Sequence, residues 1–431
     1  MKRFAIILAV LLGAREAAAA EPSPPPLDPG ALLREAMQNS PAIKSAQARL
    51  EASRHAAPQA EASPDPEVSV AYINDGLTSF TLGESEFSQL SLNWRQEIRP
   101  SRKRRQAREV ATRGAEVAEK ESERTRLQVR FAVKSAYAEL LRLDQTAAVL
   151  EELRAVLVAL EETTRRRYEV GQGIQESVLK AQTAILSLEA ESTRVAQDRL
   201  VAEARLNAAV GRFPGTPVGP AQIPLTGDLP QEAELQSAPG FAASPELEIL
   251  EAEVGRSQAA AELARVEQKP DYLWSAAYQY RGDLDPMVMG MFGWRLPLHR
   301  AQKQAQALAQ AESDLTAAQE ELAEGRIRTQ SEARQMVASA QRARRLLSLY
   351  DDGILPQAAN TLESARASYS VGRIGLQDLL SDLKVLLEAR KDRAALEAEW
   401  IQAVAALERV LGVELLRAPA NGPAAGGGDA S

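Results

Sequence analysis

The feature that most constrains this chain is an internal repeat. Residues Tyr168–Gly211 align without a gap on Tyr369–Gly412, which lie 201 positions further along. Identical pairs are Tyr168/Tyr369, Val170/Val371, Gly171/Gly372, Leu179/Leu380, Leu186/Leu387, Ala202/Ala403, Ala204/Ala405, Leu206/Leu407 and Gly211/Gly412. A gap-free match of this length indicates a duplicated structural unit rather than the short motif of a solenoid.

The composition favours long helices and offers nothing that resembles an active site. Aromatic residues make up only 4% of the chain, there is no cysteine and there are only two histidines. The absence of cysteine excludes disulfides and thiolate metal sites. No Ser/His/Asp order, phosphate-binding loop or metal-ligand spacing occurs. We therefore predict that the protein is not an enzyme and carries no cofactor and no metal site.

The N-terminus has the pattern of a secretory signal peptide. Met1-Lys2-Arg3 is positively charged, Phe4–Leu12 is a short apolar run, and Ala18-Ala19-Ala20 offers small residues for cleavage. The apolar run is shorter than the roughly 20 residues that a spanning helix needs. We predict that residues 1–20 are removed and that the mature protein is exported.

Each copy of the unit is predicted as helix, β-hairpin, long helix, tight turn and return helix. The first repeat covers 21–211, with strands at about 67–98 and long helices at about 101–168 and 174–211. The second covers 244–412, with strands at about 271–298 and long helices at about 300–369 and 376–411. A Gly/Pro-rich linker, 212–243, joins them, and we expect the tail 413–431 to be disordered.

The two hairpins are unusually aromatic. Ten of the 19 aromatic residues lie within 67–98 and 271–298, and several alternate along the strands. This pattern suits transmembrane β-strands, and it equally suits a soluble hairpin packed on helices. Four strands cannot close a barrel, so the membrane interpretation requires several chains to pool their strands.

In the order of its elements and in their duplication, the chain resembles the TolC family of outer-membrane efflux proteins over about Leu32–Gly412. The resemblance rests on the doubled Tyr-x-Val-Gly turns, the helix starts at Ser40-Pro41 and Ser244-Pro245, the paired hairpins and the linker. Gly293–Leu298 also resembles the Asn-Leu-Pro-Leu end of the fourth strand in the branch that serves metal and multidrug pumps. Arg295 replaces the usual asparagine there.

The resemblance implies a mainly α fold with a small transmembrane β part. A homotrimer would form a 12-stranded β-barrel continued by a coiled-coil α-barrel. The protein would lie in the outer membrane of a Gram-negative bacterium and extend into the periplasm. Its function would be the passive exit duct of a tripartite efflux system, with a periplasmic adaptor and an inner-membrane pump, of the RND type, as partners.

Two alternatives to this function stay open at the level of the sequence. One is the outer-membrane duct of a type I protein secretion system. The other is a periplasmic coiled-coil scaffold or adaptor without a barrel, for which the lipoyl-like segments expected between helical arms are missing. The transported substrate cannot be derived from the sequence, although the fourth-strand resemblance favours metal efflux.

The family also suggests roles for the repeated turns. The tips at Tyr168, Gly171, Tyr369 and Gly372 would dock the adaptor, although the glycines could equally serve only to permit the turn. Tyr369, Asp378 and Asp382 are candidates for the periplasmic constriction, where carboxylates around a trimer axis would attract cations. The competing interpretation is an aspartate on a solvated helix face.

Basic residues follow each hairpin. The first run is Arg99, Arg102, Lys103, Arg104, Arg105 and Arg108, and the second is Arg295, His299, Arg300 and Lys303. In an exported protein with a net charge of −8, nucleic acid is not a credible partner. We predict that these residues, with Trp94 and Trp294, contact outer-membrane lipid head groups at the inner rim; a plain solvated face is the alternative.

Overall fold

The computed structural model describes residues 25–82, 85–229 and 244–417, and within these ranges it contains long helices, one four-stranded sheet and one two-stranded sheet. The first half contains α1 (Pro29–Asn39), α2 (Pro41–Glu61), β1 (Glu67–Ile73), β2 (Gln89–Ile98), α3 (Ser101–Glu169), α4 (Gln175–Val210) and β3 (Thr226–Gly227). The second contains α5 (Pro245–Glu267), β4 (Asp271–Arg281), β5 (Leu284–Arg295), α6 (Gln304–Leu349), a π-helical turn (Tyr350–Ile354), α7 (Leu355–Ser370), α8 (Leu376–Leu411) and β6 (Leu416–Arg417). The proposed signal peptide and residues 230–243 of the linker lie outside the described residues.

In each half of the chain, the two long strands follow the opening helices and precede the long helices. The four long strands form one antiparallel sheet in the order β1-β2-β4-β5, so the two predicted hairpins join through β2 and β4. From this sheet α3 runs for 69 residues, about 100 Å at 1.5 Å per residue. The hairpins are therefore held at one end of a long helical body.

The helices pack by a heptad seam of small and branched residues. Along α4 the buried positions Ala181, Leu188, Val195 and Ala202 recur every seven residues, which is the spacing of a coiled coil. They join one core with residues of α3, α7 and α8. The low aromatic content suits this arrangement, because alanine lets helix backbones approach closely.

The long helix predicted at about 300–369 is present, but it is not α-helical throughout. Its α-helical part begins at Gln304, and a π-helical turn at Tyr350–Ile354 separates α6 from α7. Pro356 has no N–H for the carbonyl of Asp352 and its ring would clash there, so the wider turn accommodates it. Pro58 has a milder effect, since α2 continues past it to Glu61.

The C-terminal residues also differ from the expected disordered tail. Leu416–Arg417 pair with Thr226–Gly227 of the linker. Beneath this pair, the buried ammonium of Lys134 donates to both carboxylate oxygens of Glu408, at 2.9 and 2.7 Å, and to the carbonyl of Leu416. Glu408 also accepts the backbone N–H groups of Leu415 and Leu416. Leu415 and Leu416 are therefore tied to α3 and α8, and the rest of the predicted tail, 418–431, lies outside the described residues.

A second polar anchor lies where the linker crosses α3. The Tyr137 hydroxyl donates to the carbonyl of Ile223 at 2.8 Å, and the Tyr137 side chain is among the most buried in the protein. Burial raises the pKa of Tyr137 to about 12. The phenol therefore stays protonated and keeps its donor role at physiological pH.

Candidate functional site

The sheet has two chemically different faces. Because side chains alternate along a strand, the pairing register places every second residue of the four strands together. One face is almost wholly apolar, with Gln96 as its polar exception. Its larger members are Val68, Val70, Tyr72, Leu90, Leu92, Trp94, Ile98, Tyr272, Trp274, Tyr278, Tyr280, Val288, Phe292 and Trp294.

This apolar face is not covered by any element of the described chain. Val70, Val288 and Trp294 expose 68%, 79% and 59% of their surface. A continuous exposed patch of large apolar side chains marks a membrane or protein interface in a native protein. The helices pack beyond one end of the sheet rather than against it, so the face is free to contact lipid.

Aromatic side chains cluster on this face at the end nearest the helices. Trp94 meets Trp274 edge to face at 5.4 Å between ring centroids, and Phe292 meets Trp294 in the same way at 5.0 Å. Tyr272 stacks on Phe292 at 6.0 Å. Such a band is typical of the interface between the hydrocarbon layer and water in membrane β-proteins.

The opposite face is mainly polar or small, and charged groups line its helix-proximal end. Arg295 of β5 forms an ion pair with Glu97 of β2 at 2.8 Å, and this contact crosses β4, which lies between the two strands. Towards the middle it carries Ser69, Ser91, Asn93, Ser275 and Gln279. A sheet that is apolar on one face and polar on the other can separate a lipid phase from an aqueous one.

The predicted basic rim is only partly available for contacts with other molecules. Arg102 and Arg300 are exposed, although Arg300 donates to the Gln268 side chain. Arg104 is half-buried and donates to the carbonyl of Glu61. Lys103, in contrast with the prediction, is buried and paired with Asp271 at 2.8 Å, because the start of α3 packs against the start of β4.

The two repeated turns have matching geometry at the opposite end of the helices. Gly171 and Gly372 have φ values of +72° and +76°, which favour glycine because a side chain is strained there. A Cβ atom on either glycine would meet no other atom within 4 Å, so both turns project into open space. Val170 and Val371 are exposed at the tips, at 68% and 67%.

One network ties the second tip to the first long helix. The Tyr369 hydroxyl lies 3.0 Å from the Thr164 hydroxyl in a buried contact. Arg167 donates to the carbonyls of Tyr369 and Ser370, at 3.1 and 2.6 Å, and its guanidinium lies 4.8 Å from the centre of the Tyr369 ring. Tyr168, the repeat partner of Tyr369, is 46% exposed.

No sequence motif singled out Thr164 and Arg167. A signal for them appears when the repeat is extended towards the N-terminus with the same offset of 201, because Ala365 and Ser368 then stand opposite and carry no guanidinium and, at Ala365, no hydroxyl. Ala365 and Ser368 therefore cannot form the same network with Tyr168 at the first tip. This difference makes the two similar turns unequal.

The acidic candidates near the second tip differ in environment. Asp378 is exposed, and its carboxylate accepts the backbone N–H of Gly375 at 3.2 Å at the start of α8. It therefore caps a helix, whatever further role it has. Asp382, one turn further on, is half-buried. Tyr369 is 8% exposed, so its ring lies within the helix packing of its own chain.

Two other kinds of feature are absent from the described ranges. None of the helices there carries an apolar stretch that could cross a bilayer. Within the same ranges no three or more His, Asp or Glu side chains are grouped so that they could hold a metal ion.

Taken together, the two-faced sheet and the long helical body define the class of outer-membrane channel proteins. The chain matches the family profile described as "Outer membrane efflux protein" over residues 32–212 and 241–413. It belongs to this family, which confirms the resemblance to TolC-type channels, the mainly helical fold class and the outer-membrane location.

Solved outer-membrane channels have the same fold. VceC of Vibrio cholerae is 22% identical, with a TM-score of 0.75 over 89% of this chain and 96% of its own. CmeC of Campylobacter jejuni is 13% identical, with a TM-score of 0.76 over 92% and 90%. The open state of MtrE of Neisseria gonorrhoeae is 15% identical, with a TM-score of 0.74 over 89% and 88%. A comparison with curated protein sequences gives no significant match.

Proposed function

We propose that this efflux channel is the trimeric exit duct of a tripartite system that conducts substrates from an inner-membrane pump and a periplasmic adaptor. The observation that supports this proposal is the sheet, which has one uncovered apolar face and two unpaired edges, β1 and β5. Unpaired edge strands invite pairing with other chains. Three copies in a ring would pair β5 of each chain with β1 of the next and close 12 strands.

The helical part offers a second surface for the same assembly. Leu179, Leu186 and Leu200 lie on one heptad stripe of α4 and are 54%, 65% and 56% exposed. This stripe is distinct from the buried seam that packs α4 onto its own chain. A helix with two apolar stripes suits a hollow cylinder, in which each helix contacts a neighbour on either side.

The proposed duct is tested by assembly and conductance. The full chain, purified from outer-membrane fractions, is expected to migrate as a heat-modifiable trimer and to form ion-conducting channels in planar lipid bilayers. A soluble monomer in the periplasmic fraction would overturn the proposal. Co-purification of a pump and an adaptor with the tagged protein tests the partners, and an RND-type pump is the expected one.

We further propose that the turn tips, Tyr168–Gly171 and Tyr369–Gly372, dock the adaptor. Both project into open space and present an exposed valine. Tryptophan at Gly171 or Gly372 is expected to leave trimers in the outer membrane and to abolish pump-dependent resistance, because it adds bulk at the proposed contact. Resistance assays and outer-membrane immunoblots measure the two effects.

Asparagine at the same two glycines is the matched control. Asparagine tolerates positive φ better than other side chains and is small, so it tests turn geometry without adding bulk. The control variants are expected to retain resistance. Full resistance in both tryptophan variants would contradict docking at the tips.

The candidate residues for the constriction and the membrane rim also have roles in the proposed duct. Asp378 and Asp382 lie near the second tip, so in a ring of three chains they would add negative charge at the periplasmic opening. Tyr369 would act there through its bonds to Thr164 and Arg167, as a restraint on the second tip, rather than as a free side chain. Trp94 and Trp294 would lie at the inner rim of the membrane. The exposed Arg102 and Arg300 would contact lipid phosphates there. Arg104 would contribute less, because it already donates a hydrogen bond to the carbonyl of Glu61.

A further inference from the structure

The polar face of the sheet carries an unexpected row of methionines. Met287, Met289 and Met291 alternate along β5, so all three lie on this face, and they are 49%, 49% and 51% exposed. The whole chain of 431 residues has six methionines. Half of them therefore fall within five residues on one strand. We call these three residues the methionine ladder.

Neither packing within the single chain nor contact of the apolar face with lipid accounts for the ladder. Val288 and Phe292, which belong to the same strand, point to the apolar face instead. Opposite the three methionines on β4 stand Gln279, Ala277 and Ser275, which are polar or small. Half-exposed side chains beside such neighbours gain little from burial. Apolar side chains on a water-facing surface thus call for a chemical reason.

We propose that the methionine ladder is a binding site for soft monovalent metal ions, Cu(I) or Ag(I), as cargo of the channel. Thioether sulfur selects such ions, whereas Mg²⁺, Ca²⁺ and Mn²⁺ prefer oxygen ligands. Same-face positions on a strand are about 7 Å apart, and methionine has three rotatable side-chain bonds, so neighbouring sulfurs can turn towards one ion.

The inference rests on the proposed function, since only a closed ring of strands turns the polar face into a channel wall. In that ring each chain would contribute one ladder. Three sulfurs in a row would give an ion successive weak positions rather than one tight cage, and multi-site weak binding is compatible with passage.

Silver binding to the purified full-length trimer tests the site. Isothermal titration with Ag(I) is expected to show binding to the wild-type protein. The triple variant Met287→Leu, Met289→Leu, Met291→Leu should have an affinity for Ag(I) at least tenfold lower. Leucine keeps the apolar volume but removes the sulfur. The matched control replaces Met37 and Met336, which lie on helices, with leucine and should bind Ag(I) as the wild type does.

The outcomes separate this site from the proposed function. Equal Ag(I) affinity in the wild type and the triple-leucine variant, or no binding in either, would overturn the ladder as a metal site. Planar-bilayer conductance is measured on the same samples and should be present in all three. Conductance without ladder-dependent silver binding would leave the duct standing and remove the metal site. Ladder-dependent silver binding in a protein that does not conduct would do the reverse.

Discussion

Arginine at Val288 is expected to prevent this protein from accumulating as a trimer in the outer membrane. Val288 lies in β5 on the apolar face, opposite Tyr278, and is 79% exposed in the single chain. On the lipid face of a membrane barrel, an arginine near the bilayer midplane costs about 2–4 kcal/mol. Three copies in one ring multiply that cost. Immunoblots of outer-membrane fractions, with and without heating, measure the loss.

The next residue supplies the control. Met289 is one position along the same strand at nearly the same depth, but it lies on the polar face. Arginine at Met289 is expected to leave normal amounts of heat-modifiable trimer, because its charge would contact water. Equal loss of trimer in the two variants would contradict the assignment of the faces, and so would normal trimer in both.

Methionine at Lys134 is expected to destabilise the protein severely. Lys134 is 2% exposed and is the cation that pairs with the Glu408 carboxylate, which is 6% exposed. Removal of one partner of a buried pair leaves the other charge uncompensated and typically costs about 3–5 kcal/mol. Thermal unfolding of the detergent-solubilised protein by circular dichroism should show a clearly lowered midpoint.

Two further variants distinguish the buried charge from simple loss of packing. Glutamine at Glu408, combined with methionine at Lys134, removes both charges and is expected to recover part of the lost stability. Methionine at Lys120, whose ion pair with Glu248 is partly exposed, should change the midpoint little. If the double variant is no more stable than Lys134→Met alone, the uncompensated charge is not the cause.

An ion pair between Lys391 and Glu191 links the two return helices, and its strength depends on pH. Lys391 donates to Glu191 at 2.9 Å, across α8 and α4, and this hydrogen bond lowers the pKa of Glu191 below its usual range. The link is therefore intact above the ordinary glutamate pKa and is lost as the pH falls through the lowered one. Because the pair is a quarter exposed, solvent screens it and its contribution is small.

Much of this fold followed from local sequence patterns. The repeat placed the return helices, and the observed α4 and α8 lie at Gln175–Val210 and Leu376–Leu411, close to the predicted spans. Alternation and turn residues located the strands. These features depend on residues near one another in the chain, and backbone geometry relates such spacings directly to a helix or a strand.

Other features depend on contacts between distant residues. The sequence placed Lys103 in an exposed basic cluster, but the fold pairs it with Asp271 on the other hairpin. It named Tyr369 as a candidate for the constriction, and only the fold shows that Tyr369 contacts Thr164 and Arg167 of the neighbouring helix. No spacing within the chain encodes such pairings, because they arise only when the two repeats pack together.

The sequence by itself determined the duplicated unit, the element types and the family of this protein. Only the tertiary structure decided which way each strand faces, because the register of β2 on β4 fixes the two faces of the joined hairpins. That register gathers the aromatic residues on one side and the methionine ladder on the other. It thereby separates the surface suited to lipid from the surface proposed to line the channel.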